Sequence, residues 1–298
     1  MRTVYLGTSE FSVEVLERLA ATPHRPVLVV TRPDRPRGRG RKVQAPPVAE
    51  RAALLGVETI QPQDVNADDA RAAIAAAEPE AVLICAYGAL VKEPLLSAHP
   101  MFNVHPSLLP RWRGAAPIER AIEAGDEETG VTIMRPIAEL DAGPICLLRS
   151  EPIDPNDDYG SLSARLAALG GELLVEALDA EPHFRDQPEQ GVTYASKIEP
   201  GERLLDPTRP ADELERRVRA LTPHIGAYVE PAGHEDRLGV RRAALAQGVD
   251  DVEAGRLEGR DGKLLYGASP GALELVEVQP PGKRAMDAEA WLRGNRVR

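Results

Sequence analysis

Three residues in two short segments are of the types that acyl chemistry requires. In Asn103-Val104-His105-Pro106 an amide and an imidazole stand two positions apart. Alternate residues of a strand share a face, so both side chains would point at one spot. Donors converging in that way stabilise an oxygen that becomes negative as an acyl carbon turns tetrahedral. The second segment, Glu139-Leu140-Asp141-Ala142-Gly143-Pro144, sets a carboxylate ahead of a glycine in a turn. There it can orient an imidazole or order a water for proton transfer. Each fragment also has a plainer reading, His105 as a hydrogen-bonded strand-end residue and Asp141 as a turn cap. The residue types alone leave both open.

The elements that must hold these residues follow from periodicity. Short apolar runs alternate with helical spacing: strands at 3–6, 26–30 and 81–85, helices at 13–19, 49–55 and 70–77. That βαβ rhythm predicts a Rossmann-like parallel sheet with crossover helices, whose sites lie at the carboxyl ends of strands. The run 81–85 has no polar alternation and is expected to be buried on both faces. A strand at 130–134 precedes the Asp141 turn, and prolines 106 and 110 end the Asn103 strand and stiffen the loop after it. The first turn, Gly7-Thr8-Ser9-Glu10-Phe11, lacks GxGxxG, so no nicotinamide cofactor is expected.

A long Ala- and Leu-rich helix is predicted at 159–178, followed by a polar stretch at 181–191. After a helix at 211–221 the texture changes to short β-like runs, 237–246 and 272–278, divided by Asp261-Gly262 and Pro270-Gly271, which suggests a small barrel or sandwich. The boundaries expected are a first domain over 1–188, a linker over 189–203 and a second domain over 204–298. With 298 residues, 43% hydrophobic and 28% charged, the composition is that of a globular two-domain chain. No apolar run approaches the roughly 20 residues that span a bilayer. With no signal-like segment at the start, a cytoplasmic location is expected. Cys85 and Cys146 fit no metal spacing and are expected to be reduced. The net charge of −11 argues against nucleic-acid binding over the whole surface. Against it stands one basic segment, Arg32 to Lys42, with Asp34 its only acid.

The run SLLPRWRGAAPIERAI, with NVH before it and GDEETGVTIM and LDAGPI after it, resembles the folate-dependent formyltransferases. TRPDRPRGRGRKVQAPPV, AYGAL, TYASKI and VQPPGKRAM extend the resemblance over nearly the whole chain. It implies an α/β catalytic domain and a smaller, OB-like C-terminal β-barrel that binds tRNA. The implied reaction moves the formyl group of 10-formyltetrahydrofolate to the α-amine of methionyl-initiator tRNA for translation initiation. Asn103, His105 and Asp141 would then be catalytic. Ser107, Leu108, Leu109 and Pro110 would line the folate site, and Tyr87, Gly88, Ala89 and Leu90 would border the pterin through backbone groups. Arg35, Arg37, Arg39, Arg41 and Lys42 would grip the acceptor end of the tRNA from a flexible loop, since guanidinium forks suit phosphates. No metal is expected, and a monomer is. Arg111, Trp112 and Arg113 offer a stacking surface with two cations for the terminal adenosine or the folate tail; the alternative is a Trp packed against the second domain. Arg135 and His224-Ile225 depart from the resembled pattern. A sugar-nucleotide amine formyltransferase would share the trio with a different acceptor. A noncatalytic RNA-binding protein on this fold would leave the trio unexplained.

Overall fold

The computed structural model describes residues 1–37 and 42–295. Its elements run β1 (Thr3–Gly7), α1 (Glu10–Ala20), β2 (Pro26–Val30), β3 (Arg35–Arg37), β4 (Lys42–Gln44), α2 (Pro47–Leu55), β5 (Glu58–Ile60), α3 (Asp68–Ala76), β6 (Ala81–Cys85), α4 (Leu95–Ala98) and β7 (Met101–His105). Next come β8 (Arg113–Gly114), α5 (Pro117–Ala124), β9 (Glu128–Met134), β10 (Ile145–Pro152), α6 (Tyr159–Asp179) and β11 (Tyr194–Ala195). After a 3-10 turn (Pro200–Arg203) stand α7 (Ala211–Leu221), β12 (Ala227–Val229), β13 (Leu238–Leu245), β14 (Leu257–Arg260), β15 (Lys263–Gly267), β16 (Ala272–Gln279), β17 (Met286–Asp287) and α8 (Ala288–Gly294). The chain divides into two compact units: residues 1–114, 128–152 and 163–195, and residues 115–127, 153–162 and 196–298.

The first unit is built on a seven-stranded sheet ordered β10-β9-β7-β6-β1-β2-β5. Its five strands from β7 to β5 are parallel, as the rhythm predicts, whereas β9 pairs antiparallel with both β7 and β10, so the sheet is mixed. Val4, Leu6, Val82 and Ile84 pack on one face with Ile74, Leu95 and Met101. On the other face Tyr5 sends its hydroxyl to Ser12 O at 2.7 Å and fixes α1 to β1. Glycine is required at Gly7, where a Cβ would stand 2.0 Å from Ser12 Oγ. A Cβ at Gly170 of α6 would come within 2.9 Å of Val104 Cγ1, so the missing side chain lets that helix lie against the middle of β7. Val104 therefore faces the helix while its neighbours Asn103 and His105 face away from it.

In the second unit a six-stranded antiparallel sheet, β12-β13-β16-β15-β14 with β17 paired to β16, carries the core. Leu214, Val218 and Leu221 of α7 pack with Val240, Leu264, Leu273 and Val278. That spacing of three, four and seven is the apolar stripe of an amphipathic helix. Arg120 of α5 and Arg217 of α7 enclose Glu123 and Glu202. Arg120 also holds the carbonyl of Ser196, 3.1 Å from Nη2.

Candidate active site

The turn between β9 and β10 brings Asp141 to the face of β7 that carries Asn103 and His105. Asp141 Oδ1 lies 3.5 Å from Asn103 Nδ2, and Oδ2 lies 3.6 Å from His105 Nδ1. The His105 and Asp141 side chains are only 5% and 10% exposed, so their interaction is weakly screened. His105 Nε2 is 2.9 Å from the carbonyl oxygen of Trp112. A carbonyl can only accept, so Nε2 carries hydrogen and Nδ1 is the nitrogen turned to the carboxylate. A proton on Nδ1 makes the ring an imidazolium with Asp141 as its counterion. The Asn103 amide has one further contact, Met134 Sδ at 3.6 Å. A thioether is a weak acceptor, which leaves this donor available to a stronger one.

Backbone groups hold the trio in place. Trp112 has φ +63° and Asp141 φ +52°, left-handed conformations that cost a non-glycine residue about 1–2 kcal/mol. Gly114 N donates to Asp141 Oδ2 at 2.9 Å. Gln187 Nε2 donates to Asp141 O and Gly143 O, both at 2.8 Å, and Gln187 Oε1 accepts from Arg113 Nε at 3.0 Å. Arg113 is thus buried in a brace behind the site, contrary to its expected role as an available cation. Trp112 N donates to Thr193 Oγ1 at 2.9 Å, and Arg111 stacks its guanidinium 4.3 Å from the Trp112 ring centre. Sequence reasoning missed Gln187, Thr193 and Gly114. Gln187 and Thr193 carry no type-specific signal, and Gly114 acts through its N–H.

Ser107 and Leu109 are buried, and their polar groups serve the loop itself. Ser107 Oγ donates to Arg111 O at 2.6 Å, while Thr132 Oγ1 donates to Ser107 O and accepts from Leu109 N. Leu108 and Pro110 are half-buried. Tyr87 is buried whole, its side chain in the apolar core, and Thr8 Oγ1 donates to its carbonyl at 2.7 Å. Burial raises the Tyr87 phenol above its ordinary pKa, with Arg32 opposing. Gly88, at φ +81°, and Leu90 are exposed, Ala89 is half-buried, and Asn66 fixes the segment by donating to Leu90 O and accepting from Lys92 N. Phe102 and Arg135, the chain neighbours of Asn103 and Met134, line a cavity of about 500 Å³ with Met101 and Phe184. Arg135 lies 4.2 Å from the Phe184 ring centre.

The basic segment is not simply a loop. β3 and β4 pair antiparallel, with Arg35 opposite Gln44 and Arg37 opposite Lys42, which makes the flanks a β-hairpin. Arg35 and Lys42 are exposed. Arg39 and Arg41 lie outside the described residues. Cys85 is buried and its thiol is pushed up to about 12, which keeps it protonated and inert.

Comparison with known proteins decides the family. The sequence model described as "Formyl transferase" matches residues 1–178, and "Formyl transferase, C-terminal domain" matches 197–296. The chain belongs to the formyl transferase family. Among formyl transferases it is 43% identical over 298 residues to a methionyl-tRNA formyltransferase of Ruegeria pomeroyi, covering 99% of this chain and 97% of that protein. It is 44% identical to the enzyme of that name from Methylococcus capsulatus, covering 98% and 96%. Solved formyl transferases share the fold. A methionyl-tRNA formyltransferase from Clostridium thermocellum aligns with a TM-score of 0.59 at 14% identity, covering 83% of this chain and 95% of the other. A sugar 3N-formyl transferase, solved in the presence of dTDP and 5-N-formyl-THF, aligns with a TM-score of 0.66 at 15% identity, covering 95% and 98%.

Proposed function

We infer that this chain transfers the formyl group of 10-formyltetrahydrofolate to the α-amine of methionyl-initiator tRNA, giving N-formylmethionyl-tRNA. The reading is supported by the meeting of Asn103, His105 and Asp141 around one point in a chain whose relatives of that name match it end to end. A free α-amine has a pKa near 7.7–8.0, so an appreciable fraction is already neutral at pH 7. The larger barrier is charge developing on the formyl oxygen. Asn103 Nδ2–H is placed to meet that oxygen, and His105, whose neutral ring holds its hydrogen on Nε2, becomes the second donor when Nδ1 takes a proton. His105 Nε2 is held by Trp112 and stays out of the reaction. As the amine attacks the formyl carbon, Asp141 receives the amine proton through water, and the carbon–nitrogen bond to the folate then breaks with that nitrogen taking a proton.

The backbone of residues 87–90 and the loop 107–110 would border the folate. Arg35, Arg37, Arg39, Arg41 and Lys42 would meet the tRNA backbone. The domain limits 1–188, 189–203 and 204–298, action as a monomer, independence from metal and a cytoplasmic location belong to the same proposal. Among the described residues no helix is long and apolar enough to cross a membrane.

His105→Ala and Asn103→Ala should each lower kcat by about a hundred- to a thousandfold with donor binding kept, because each removes one oxyanion donor. The assay is transfer of labelled formyl from 10-formyltetrahydrofolate, with charged initiator tRNA and an amino-sugar nucleotide offered as alternative acceptors. Formylation of the sugar and not of the tRNA would overturn the acceptor assignment, and near wild-type rates in either variant would overturn the site.

A further inference from the structure

Thr193 uses all of its polar groups on one short segment of the first unit. Its N donates to Pro110 O at 3.4 Å, its Oγ1 accepts from Trp112 N at 2.9 Å, and its O accepts from Arg113 N at 2.9 Å. The next two residues form β11, which pairs in parallel with β8, Tyr194 beside Arg113 and Ala195 beside Gly114. The segment so held carries the two backbone groups that touch the trio, Trp112 O on His105 Nε2 and Gly114 N on Asp141 Oδ2. Gly114, at φ +124°, has no room for a side chain, since its Cβ would lie 2.6 Å from Ala195 O.

We propose that Thr193 is a positioning residue for formyl transfer, acting through Trp112. By accepting from Trp112 N it holds that residue in its left-handed conformation and aims the Trp112 carbonyl at His105 Nε2. The carbonyl fixes hydrogen on Nε2 and leaves Nδ1 as the nitrogen that faces Asp141 and the reacting oxygen. Without the hydroxyl, Trp112 loses the acceptor for its N–H and the reason to keep a costly φ. The imidazole is then free to rotate and to exchange tautomers. The kinetic consequence rests on the formyl-transfer reading of the site, but the structural consequence is independent of any substrate.

The test compares Thr193→Val, which keeps the shape and removes the acceptor, with Thr193→Ser, which restores it. In the formylation assay Val should lower kcat about ten- to a hundredfold, the scale of a misplacement near 1 Å, with KM for donor and acceptor unchanged and Ser close to wild type. In parallel, the imidazole nitrogen resonances of His105, in protein without substrate and at a pH where the ring is neutral, should show hydrogen fixed on Nε2 in the wild type and Ser variants and averaged between nitrogens in Val. Wild-type kcat in Val, a Ser variant as impaired as Val, or an unchanged His105 signature would each overturn the proposal. If the wild type formylates nothing while the His105 resonances still average in Val and not in Ser, the functional reading fails and the positioning role stands.

Discussion

Asp141 sits at φ +52° in the turn, where it offers one carboxylate oxygen to Asn103 and the other to Gly114 N and His105. Backbone conformation and charge are separable at this position, because asparagine tolerates the left-handed region and its amide oxygen can still accept from Gly114 N. Asp141→Asn should therefore fold with a melting temperature close to that of the wild type while kcat falls about a hundred- to ten-thousandfold, the range for loss of a general base. Asp141→Ala should lose stability as well, since it keeps neither the acceptor nor the conformational tolerance. Thermal melts and single-turnover rates on the same preparations separate the two effects. An active Asn variant would show that the carboxylate charge is not needed, and the bond to Gly114 would then be its whole role.

Elements differ in how openly the sequence announces them. The run 81–85 is apolar without alternation and forms a strand buried along its whole length, and α7 has the bounds its stripe predicts. β10 escapes notice because it is an edge strand, largely exposed, whose ICLLRSEP has no period-two contrast. β8 and β11 are two residues each and exist only as backbone hydrogen bonds, so no side-chain pattern can reveal them. The same distinction holds at the site. The placing of Asn103 and His105 on one face is legible from strand period, whereas the carbonyl of Trp112 and the N–H of Gly114 have no residue type to betray them. In the second unit, charge links α5 to the 3-10 turn in a way that pH can measure. The Arg120 guanidinium, first among its partners, holds the Glu202 carboxyl below its ordinary value of 4.5. A carboxyl depressed on folding adds stability above its unfolded pKa and loses it as pH falls through the folded one. Glu202→Gln should lower the urea midpoint at pH 7 and leave it unchanged in acid below the folded value, flattening the curve between. Parallel curves for wild type and variant would remove this pair from the acid response.

At the scale of the whole molecule the difficulty is to hold a polyanion on a chain with net charge −11. Salt at about 0.1 M screens charge beyond roughly 10 Å, so distant acids repel little and a local basic feature can dominate where it meets phosphate. The β3–β4 hairpin is such a feature, with Arg35 and Lys42 exposed on paired strands that fix their spacing better than a loop would. Neutralising phosphates releases counterions, and each contact contributes a slope of about −0.7 to −0.9 to the dependence of log affinity on log salt. Replacing Arg35 and Lys42 together with alanine should raise the tRNA KM most at low salt and reduce that slope by between about one and two. Because no bond among the described residues joins either one to the trio, kcat at saturating tRNA and the KM for the folate should stay as they were. A salt slope identical to the wild type would place the phosphate contacts elsewhere, whatever happened to the absolute KM.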